Sequence, residues 1–366
     1  MRRGISILII ALLISALGIL SIYSSTYDKE GQAWKDIYKR QMLWIILGAA
    51  LFIFMSNFNY RRLWDATYFL YALTLFLLFL VFILGAIRMG AQRWLKFAWF
   101  NLQPSEVAKL SVIIFLARYF SRKTVDDAGL LIHKFGMLRA VFLPFLFVSI
   151  PAGLIIEQPD LGSGLMLLLI FVAMLFVSGV RLKYIVMILA AVLLAGPFLW
   201  HFLHDYQRDR LLVFLNPNID PLGAGYTIIQ SKIAIGSGGL FGKGFLGGTQ
   251  SQLHFLPESH TDFIFATFAE ERGLIGGSAL LLLYFLLVYN GIKIALRTND
   301  YFGRLLALGI SFGLGAQVFV NIAMNLGLAP VVGIPLPLMS YGGSCVLVTF
   351  VSLGILVNID KTRAVF

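Results

Sequence analysis

The sequence contains few of the residues on which soluble, disulfide-bonded or metal-binding proteins depend. Only 13% of its 366 residues are charged, about half of the share found in a typical soluble domain. The single cysteine, Cys345, excludes an internal disulfide and a cluster of thiolate ligands, and its apolar neighbours predict a small packing residue. An HExxH motif is absent, and Gly242-Lys243 lacks the Ser or Thr that completes a phosphate-binding P-loop. These absences argue against a disulfide scaffold, an HExxH zinc protease and a P-loop nucleotide-binding protein.

Long apolar runs dominate the chain instead. Hydrophobic residues make up 59% of it and the mean hydropathy is +0.86. A helix that spans a bilayer needs about 20 mostly apolar residues. The segments that approach this requirement are 4–23, 41–56, 65–85, 105–121, 140–156, 161–179, 183–203, 263–291, 303–327 and 337–359. We therefore predict an all-α polytopic membrane protein with about ten transmembrane helices, forming a single integral membrane domain over residues 1–366.

The basic residues predict the orientation of these helices. The first segment follows two arginines, as a secretory signal would, but its length and the further segments predict that it is retained. The loops on the side of the N-terminus, together with the adjoining ends of the spans, contain 16 Lys and Arg residues and the opposite loops contain 11. The positive-inside rule then places both termini in the cytoplasm. The net charge of +11 lies in short loops between apolar runs, so we expect no nucleic acid partner.

Several charged residues lie at or within the predicted spans. Arg93 lies between Arg88 and Lys96 in a short outer loop, which is typical either of an interfacial belt or of a site for an anionic headgroup. Glu106 and Lys109 share one helix face because they are three residues apart. Charges within a bilayer face the bundle interior or a partner. This pair is therefore either a structural ion pair or part of a substrate cavity.

The long outward loop, residues 204–262, connects the seventh and eighth spans. Its glycine-rich part is too long for a simple connection, and loops of this kind are usually functional or disordered. Apolar stretches such as 226–235 predict partial burial, with short interfacial or re-entrant helices. The loop ends at Asp262, immediately before a spanning helix. Thr261 or Asp262 could be the N-cap of that helix, or Asp262 could be a general base at the boundary between water and lipid.

Several motifs, in order along the chain, resemble the SEDS family (shape, elongation, division and sporulation proteins). They are Gly90-Ala91-Gln92-Arg93-Trp94, Gln103-Pro104-Ser105-Glu106 with Lys109, Gln158-Pro159-Asp160-Leu161-Gly162, Asn216-Pro217, Asp220-Pro221-Leu222-Gly223-Ala224-Gly225-Tyr226, Gln230-Ser231, Leu256-Pro257-Glu258-Ser259-His260-Thr261-Asp262-Phe263, Pro335-Leu336-Pro337 and Ser340-Tyr341-Gly342-Gly343-Ser344. The resemblance covers essentially the whole chain. Within the family, Gly248-Thr249-Gln250-Ser251-Gln252-Leu253 resembles the RodA branch rather than the FtsW branch.

The resemblance implies a peptidoglycan glycosyltransferase of the cytoplasmic membrane, acting in cell elongation. Such proteins polymerise lipid II on the outer face, release undecaprenyl pyrophosphate, and work with a class B penicillin-binding protein in the elongation machinery. Asp262 matches the essential aspartate of the family. It is expected to act as the general base, or else to position the acceptor hydroxyl or bind a divalent cation (Mg²⁺ or Mn²⁺). The expected substrate-binding residues are Arg93, Lys109, Arg210 and Lys243 on the pyrophosphates, with Glu106 orienting Lys109.

Two other classes of function remain open at this point. A lipid II flippase needs a polar path across the membrane and alternating access, and the charged groups at Glu106/Lys109 and Glu270–Arg272 could line such a path. The outward bias of the polar loop argues against it. A non-catalytic scaffold for the penicillin-binding protein would need the helices but not Asp262.

Overall fold

Helices form most of the chain in the computed structural model, which describes residues 2–27, 34, 36–88, 91–97, 100–126, 138–202, 205–223 and 225–362. Gly90, Ala224 and position 204, which belong to the predictions above, lie outside these ranges. The α-helices of the described residues are α1 (Arg2–Thr26), α2 (Ile37–Asn57), α3 (Arg62–Leu84), α4 (Pro104–Asp126), α5 (Leu143–Glu157), α6 (Leu161–Val177), α7 (Leu182–Leu199), α8 (Asp205–Leu215), α9 (Tyr226–Ser237), α10 (Thr249–Gln252), α11 (Ile264–Arg297), α12 (Tyr301–Asn325) and α13 (Gly343–Thr362).

Ten of these helices correspond to the predicted spans, in the predicted order. Within the described residues, α1, α2, α3, α11, α12 and α13 are long and apolar enough to cross a membrane, as is α5 with the π-helical turn Leu138–Phe142 before it. α6 and α7 are shorter apolar helices. α4 carries more charge but packs against α3, α6 and α12. The polytopic α-helical fold is therefore confirmed.

Two local features differ in detail from the prediction. The last helix begins at Gly343 rather than at 337, because Leu338 adopts a positive φ of 67° that a helix of L-residues does not accommodate. The connection between α3 and α4 contains a small antiparallel sheet, an addition to the all-α fold that the sequence did not reveal. Its strands are β1 (Gly85–Arg88), β2 (Ala91–Lys96) and β3 (Asn101–Leu102), paired in the order β1-β2-β3. This sheet places Arg93 at one end of the helical bundle.

The core lies between the helices and the outer surface is apolar. Phe171 and Phe350 are among the largest fully buried side chains. Large apolar side chains such as Phe69, Phe176 and Leu194 are exposed by 69%, 67% and 80%. Soluble monomers rarely expose contiguous apolar surface of this kind, whereas lipid solvates it readily. The distribution of burial thus agrees with a membrane-spanning bundle.

Both described ends of the chain lie at the same end of the bundle. A Cβ added to Gly4 in α1 would lie 2.8 Å from Val357 in α13. At the other end of α1, Ser24 donates a hydrogen bond to Glu271 and accepts one from Gln252 of α10 at 3.1 Å. We call this second end, which also carries the sheet and α8–α10, the loop end.

The long loop is partly buried, as expected, and it fills a break in α11. The break lies at Gly273, whose φ of 64° and ψ of −165° are not helical. Backbone groups of the loop satisfy the interrupted helix: Lys243 N–H donates to Glu270 O at 3.0 Å and Leu274 N–H donates to Gly239 O at 2.9 Å. Irregular backbone at membrane depth is tolerated when protein groups satisfy it in this way.

Candidate active site

Asp262 lies in the turn that leads into α11, and the backbone of residues 260–262 is held by two separate parts of the chain. The carbonyls of His260, Thr261 and Asp262 all accept hydrogen bonds from distant residues. The donors are, in order, the Tyr341 N–H at 3.0 Å, Ser340 Oγ at 2.6 Å, and both Asn321 Nδ2 and Asn325 Nδ2 at 3.0 Å. This segment is therefore anchored by α12 and by the turn before α13.

The side chain of Asp262 is not the N-cap of α11, so that interpretation of the sequence is wrong. The N-cap position is Phe263, and no side chain from it or its neighbours caps the helix. Thr261 Oγ1 instead donates to Glu258 Oε2 at 2.9 Å. The Ala266 N–H is shared between Phe263 O at 3.1 Å and Asn325 Oδ1 of α12 at 3.2 Å. Among the described residues, Asp262 forms hydrogen bonds only through its backbone carbonyl.

The surroundings of Asp262 make its carboxylate more basic than usual. Part of the side chain remains accessible, but protein atoms surround it, and this burial raises its pKa from 3.8 to about 6. The carboxylate of Glu258, and to a smaller extent that of Asp160, raises this pKa further. The guanidinium groups of Arg210 and Arg93 lower it. A general base works best with a pKa near the operating pH. Asp262 is thus ionised at neutral pH and able to accept a proton.

Two guanidinium groups lie near Asp262. Arg93 of β2 donates Nε–H to Gln158 O at 3.3 Å and a second N–H to the carbonyl of Pro159. Arg210 of α8 donates to Val331 O at 3.1 Å. Burial, and then the charge of Arg93, lowers the pKa of Arg210, so the two cations are close enough to repel each other. Within the described residues neither forms an ion pair, and such an arrangement of unneutralised cations favours an anionic ligand.

The irregular segment 331–336 connects the cations to the carboxylate. Val331 binds Arg210, and Ile334 O accepts a hydrogen bond from Asn321 Nδ2 at 2.7 Å. Gly333 between them has a φ of +71°, and a Cβ added to it would lie 3.4 Å from Asp262 Oδ2. A glycine satisfies this backbone conformation and keeps the approach to the carboxylate open.

Glu106 and Lys109 form a buried ion pair inside the bundle. Their Oε1 and Nζ atoms are 2.7 Å apart, and both side chains are almost fully buried. Lys109 also donates to Gln317 Oε1 at 2.8 Å, and Gln317 Nε2 donates to Pro335 O at 3.0 Å. The cavity beside the pair has a volume of about 50 Å³, which holds water but no sugar. The structure therefore connects the pair to the segment 331–336 rather than to Asp262 directly, and its contact with a pyrophosphate stays a prediction.

Lys243 lies in a different place from the other predicted cations. Its Nζ is 2.9 Å from Glu270 Oε1 and 2.8 Å from Thr249 Oγ1. Glu270 is fully buried in α11, roughly 12 Å along the helix from Asp262. The charge of Lys243 is thus compensated at the break of α11, and its role as a pyrophosphate ligand also stays a prediction.

Asn321 and Asn325 are the site residues that sequence reasoning missed. They were detectable as polar residues four positions apart in an apolar helix, which places them on one face. Polar side chains within a span face the protein interior and mark a functional region. The contribution of Glu258, Asp160 and Gly333 could not be recognised from local sequence.

The fold and the site together define a class: a polytopic membrane protein that presents a basic carboxylate and two guanidinium groups at one end of its helical bundle. The sequence profile of the FtsW, RodA and SpoVE group, described as cell cycle protein, matches residues 5–364. The chain belongs to this family, which confirms the resemblance found in its motifs.

Individual relatives and solved structures agree with this assignment. The peptidoglycan glycosyltransferase MrdB of Escherichia coli strain K12 is 42% identical over 359 residues, covering 98% of this chain and 93% of that protein. A chain in a structure described as the structural coordination of polymerization and crosslinking by a peptidoglycan synthase complex is 34% identical, with a TM-score of 0.80 over 98% of this chain and 97% of the other. The rod shape determining protein RodA of Thermus thermophilus is 29% identical, with a TM-score of 0.71 over 98% and 96%.

Proposed function

We propose that the protein is a peptidoglycan glycosyltransferase that polymerises lipid II at the outer face of the cytoplasmic membrane during cell elongation. Its family and the name of its relative MrdB support the activity. Its predicted orientation supports the location: the termini share one end of the bundle, and the excess of basic residues assigns that end to the cytoplasm. The loop end then faces outward, and the whole chain acts as one membrane domain.

The observation that carries the proposal is the state of Asp262. Its carboxylate is not used as a helix cap, its pKa is raised to about 6, and Arg93 and Arg210 lie beside it. A glycosyl transfer from a lipid pyrophosphate needs a general base and positive charge near the leaving group. A base must accept a proton from the attacking hydroxyl, and cations must stabilise the charge that develops on the leaving group.

In the proposed reaction, Asp262 accepts the proton of the 4-hydroxyl of the incoming lipid II sugar. The hydroxyl oxygen forms a bond to the anomeric carbon of the growing glycan, and the bond from that carbon to the phosphate oxygen breaks. Undecaprenyl pyrophosphate leaves with the electron pair. Arg93 and Arg210 bind this anion, since preorganised positive charge stabilises it without reorganisation. Glu106 and Lys109 support the segment 331–336, and Lys243 supports the long loop.

The use of a divalent cation remains to be tested. Among the described residues no group of three or more His, Cys, Asp or Glu side chains could hold a metal. Mg²⁺, however, is often held by one or two carboxylates together with substrate phosphates, and Asp262 and Glu258 offer that number. Such an ion would supply further positive charge at the pyrophosphate. Polymerisation assayed with a chelator, and again after addition of Mg²⁺ or Mn²⁺, measures the dependence.

We further propose a class B penicillin-binding protein as the partner. The structure with a TM-score of 0.80 comes from a peptidoglycan synthase complex that coordinates polymerization and crosslinking. A transpeptidase beside the loop end would receive the new strand where it forms. Co-purification of the two proteins tests this proposal.

The decisive experiment gives labelled lipid II to the purified protein and its partner in detergent, where transbilayer movement cannot contribute. We expect glycan polymer from the wild type and none above background from Asp262→Ala. Asp205→Ala in α8 is the matched control, because this carboxylate is 97% exposed at the loop end, and it should retain wild-type activity. Polymer at the wild-type rate from Asp262→Ala would rule out its catalytic role. No polymer from the wild type would favour a flippase or a scaffold.

A further inference from the structure

Two asparagines of α12, Asn321 and Asn325, lie on one face of the helix and are completely buried, each with an exposure of 0%. A buried amide is costly unless its donors and acceptor are satisfied. Substitution by an apolar residue would remove that requirement in a span that is otherwise mostly apolar. Their presence therefore calls for an explanation beyond packing.

The hydrogen bonds of the pair converge on the start of α11. Asn325 Nδ2 donates to Asp262 O at 3.0 Å and to Asn321 O at 2.8 Å, and Asn325 Oδ1 accepts from the Ala266 N–H at 3.2 Å. Asn321 Nδ2 donates to Asp262 O at 3.0 Å and to Ile334 O at 2.7 Å. The amide orientation follows from these partners, because a backbone N–H can only donate and a carbonyl can only accept.

We propose that Asn325, supported by Asn321, is a positioning residue for glycan polymerisation: it caps α11 in place of Asp262 and fixes the Asp262 backbone, so that the carboxylate remains available to the acceptor hydroxyl. This inference rests on the proposed function. The capping side chain then lies on a different helix, 59 residues along the chain from the Ala266 N–H.

Removal of the Asn325 amide has a specific consequence. In Asn325→Ala, the Ala266 N–H keeps its bond to Phe263 O but loses its side-chain acceptor, and Asp262 O loses one of its two donors. The Asp262 carboxylate can then take the place of the Asn325 amide, because aspartates commonly provide such an acceptor at helix N-termini. A carboxylate that accepts backbone N–H bonds has a lower pKa and is a weaker base. We expect kcat to fall about 10- to 100-fold, the loss that a small misplacement causes, with KM for lipid II unchanged.

The pH profile separates this role from a purely structural one. In Asn325→Ala, the acid limb of kcat should move to lower pH, because the capping carboxylate protonates less readily. Asn325→Asp retains an acceptor for the Ala266 N–H but cannot donate to Asp262 O, and its negative charge raises the pKa of a nearby carboxylate. Its acid limb should therefore not move downward. Asn321→Ala leaves the cap in place and should lower kcat with the limb unchanged.

The experiment measures lipid II polymerisation by these variants from pH 4.5 to 8.5, together with thermal stability in detergent. Asn290→Ala is the matched control and should behave as wild type, since among the described residues the Asn290 amide bonds only within α11, to Leu286 O at 2.8 Å. A wild-type kcat and acid limb in Asn325→Ala would overturn the inference, as would a loss of activity with no shift of the limb. If Asn325→Ala does not fold, a downward shift in Asn325→Asp or Asn321→Ala would overturn it. A wild type that makes no polymer would instead refute the proposed function, and the inference with it.

Discussion

Replacement of the proposed base should make the protein more stable while it abolishes activity. Burial raises the pKa of Asp262 from 3.8 to about 6, so the folded protein carries this negative charge less readily than the unfolded chain does. Each pKa unit corresponds to about 1.4 kcal/mol. The shift therefore costs roughly 3 kcal/mol of stability at pH 7.5, and Asp262→Asn should recover up to that amount with little change in shape.

The sign of the effect depends on pH. An acid whose pKa is raised in the folded state destabilises the protein at high pH, where the carboxylate is ionised in both states. Below about pH 4 the group is protonated in both states and the penalty is absent. The stability advantage of Asp262→Asn should thus be greatest above about pH 6 and shrink as the pH falls toward 4.

The assay is thermal unfolding in detergent at pH 7.5 and pH 4.5, beside polymerisation of lipid II at pH 7.5. Asp205→Asn provides the control, because its 97% exposed side chain gains nothing from the loss of charge. If Asp262→Asn were no more stable than the wild type at pH 7.5, or equally more stable at both pH values, the carboxylate would not be held at a cost of desolvation. Burial would then not be the source of its basicity.

Three further predictions address Glu258 and Arg210 near Asp262, and Lys243 at the break of α11. The polymerisation rate of the wild type should fall as the pH is lowered through about 6. In Glu258→Gln this fall should occur at a lower pH, because the Glu258 carboxylate raises the pKa of Asp262. Initial rates measured across the pH range test both predictions. Arg210→Ala should lower kcat about 100-fold or more, as the loss of a transition-state charge contact does, and the variant should still fold. Single-turnover assays measure the loss of rate, and thermal unfolding measures any loss of stability. Lys243→Ala should destabilise the protein by about 3 kcal/mol, because it leaves the buried Glu270 without its cation; wild-type thermal stability would contradict this.

The helices and the position of Asp262 were predictable because lipid imposes a local rule. A span must contain about 20 consecutive apolar residues, so each helix is visible in a short window. Asp262 marks the point where a polar loop meets such a window. α4 was predictable for a related reason: its charged pair at Glu106 and Lys109 is spaced to share one face, which the bundle buries.

The contacts that give the site its chemistry depend on distant parts of the chain. Asn325 bonds to a backbone group 59 residues away, Arg210 to one 121 residues away, and Lys243 pairs with Glu270 after a separation of 27. Local spacing does not specify such pairings. From the sequence, Lys243 and Arg210 were both basic residues of one loop and both were predicted to bind pyrophosphate. In the structure, Lys243 instead pairs with Glu270 at the break in α11.

The position of Asp262 beside a helix start makes its raised pKa informative. Backbone N–H groups and the helix dipole normally stabilise an ionised carboxylate at a helix N-terminus and lower its pKa. Asp262 immediately precedes the N-cap residue Phe263, yet its pKa is raised to about 6, because burial dominates. The Ala266 N–H at this helix start is bonded to Phe263 O and to Asn325 Oδ1 rather than to the Asp262 carboxylate. A carboxylate with that pKa is ionised at neutral pH and accepts a proton far more readily than one near 4. If Asn325 is the positioning residue proposed above, the amide on α12 keeps this carboxylate away from the helix start and so preserves its basicity.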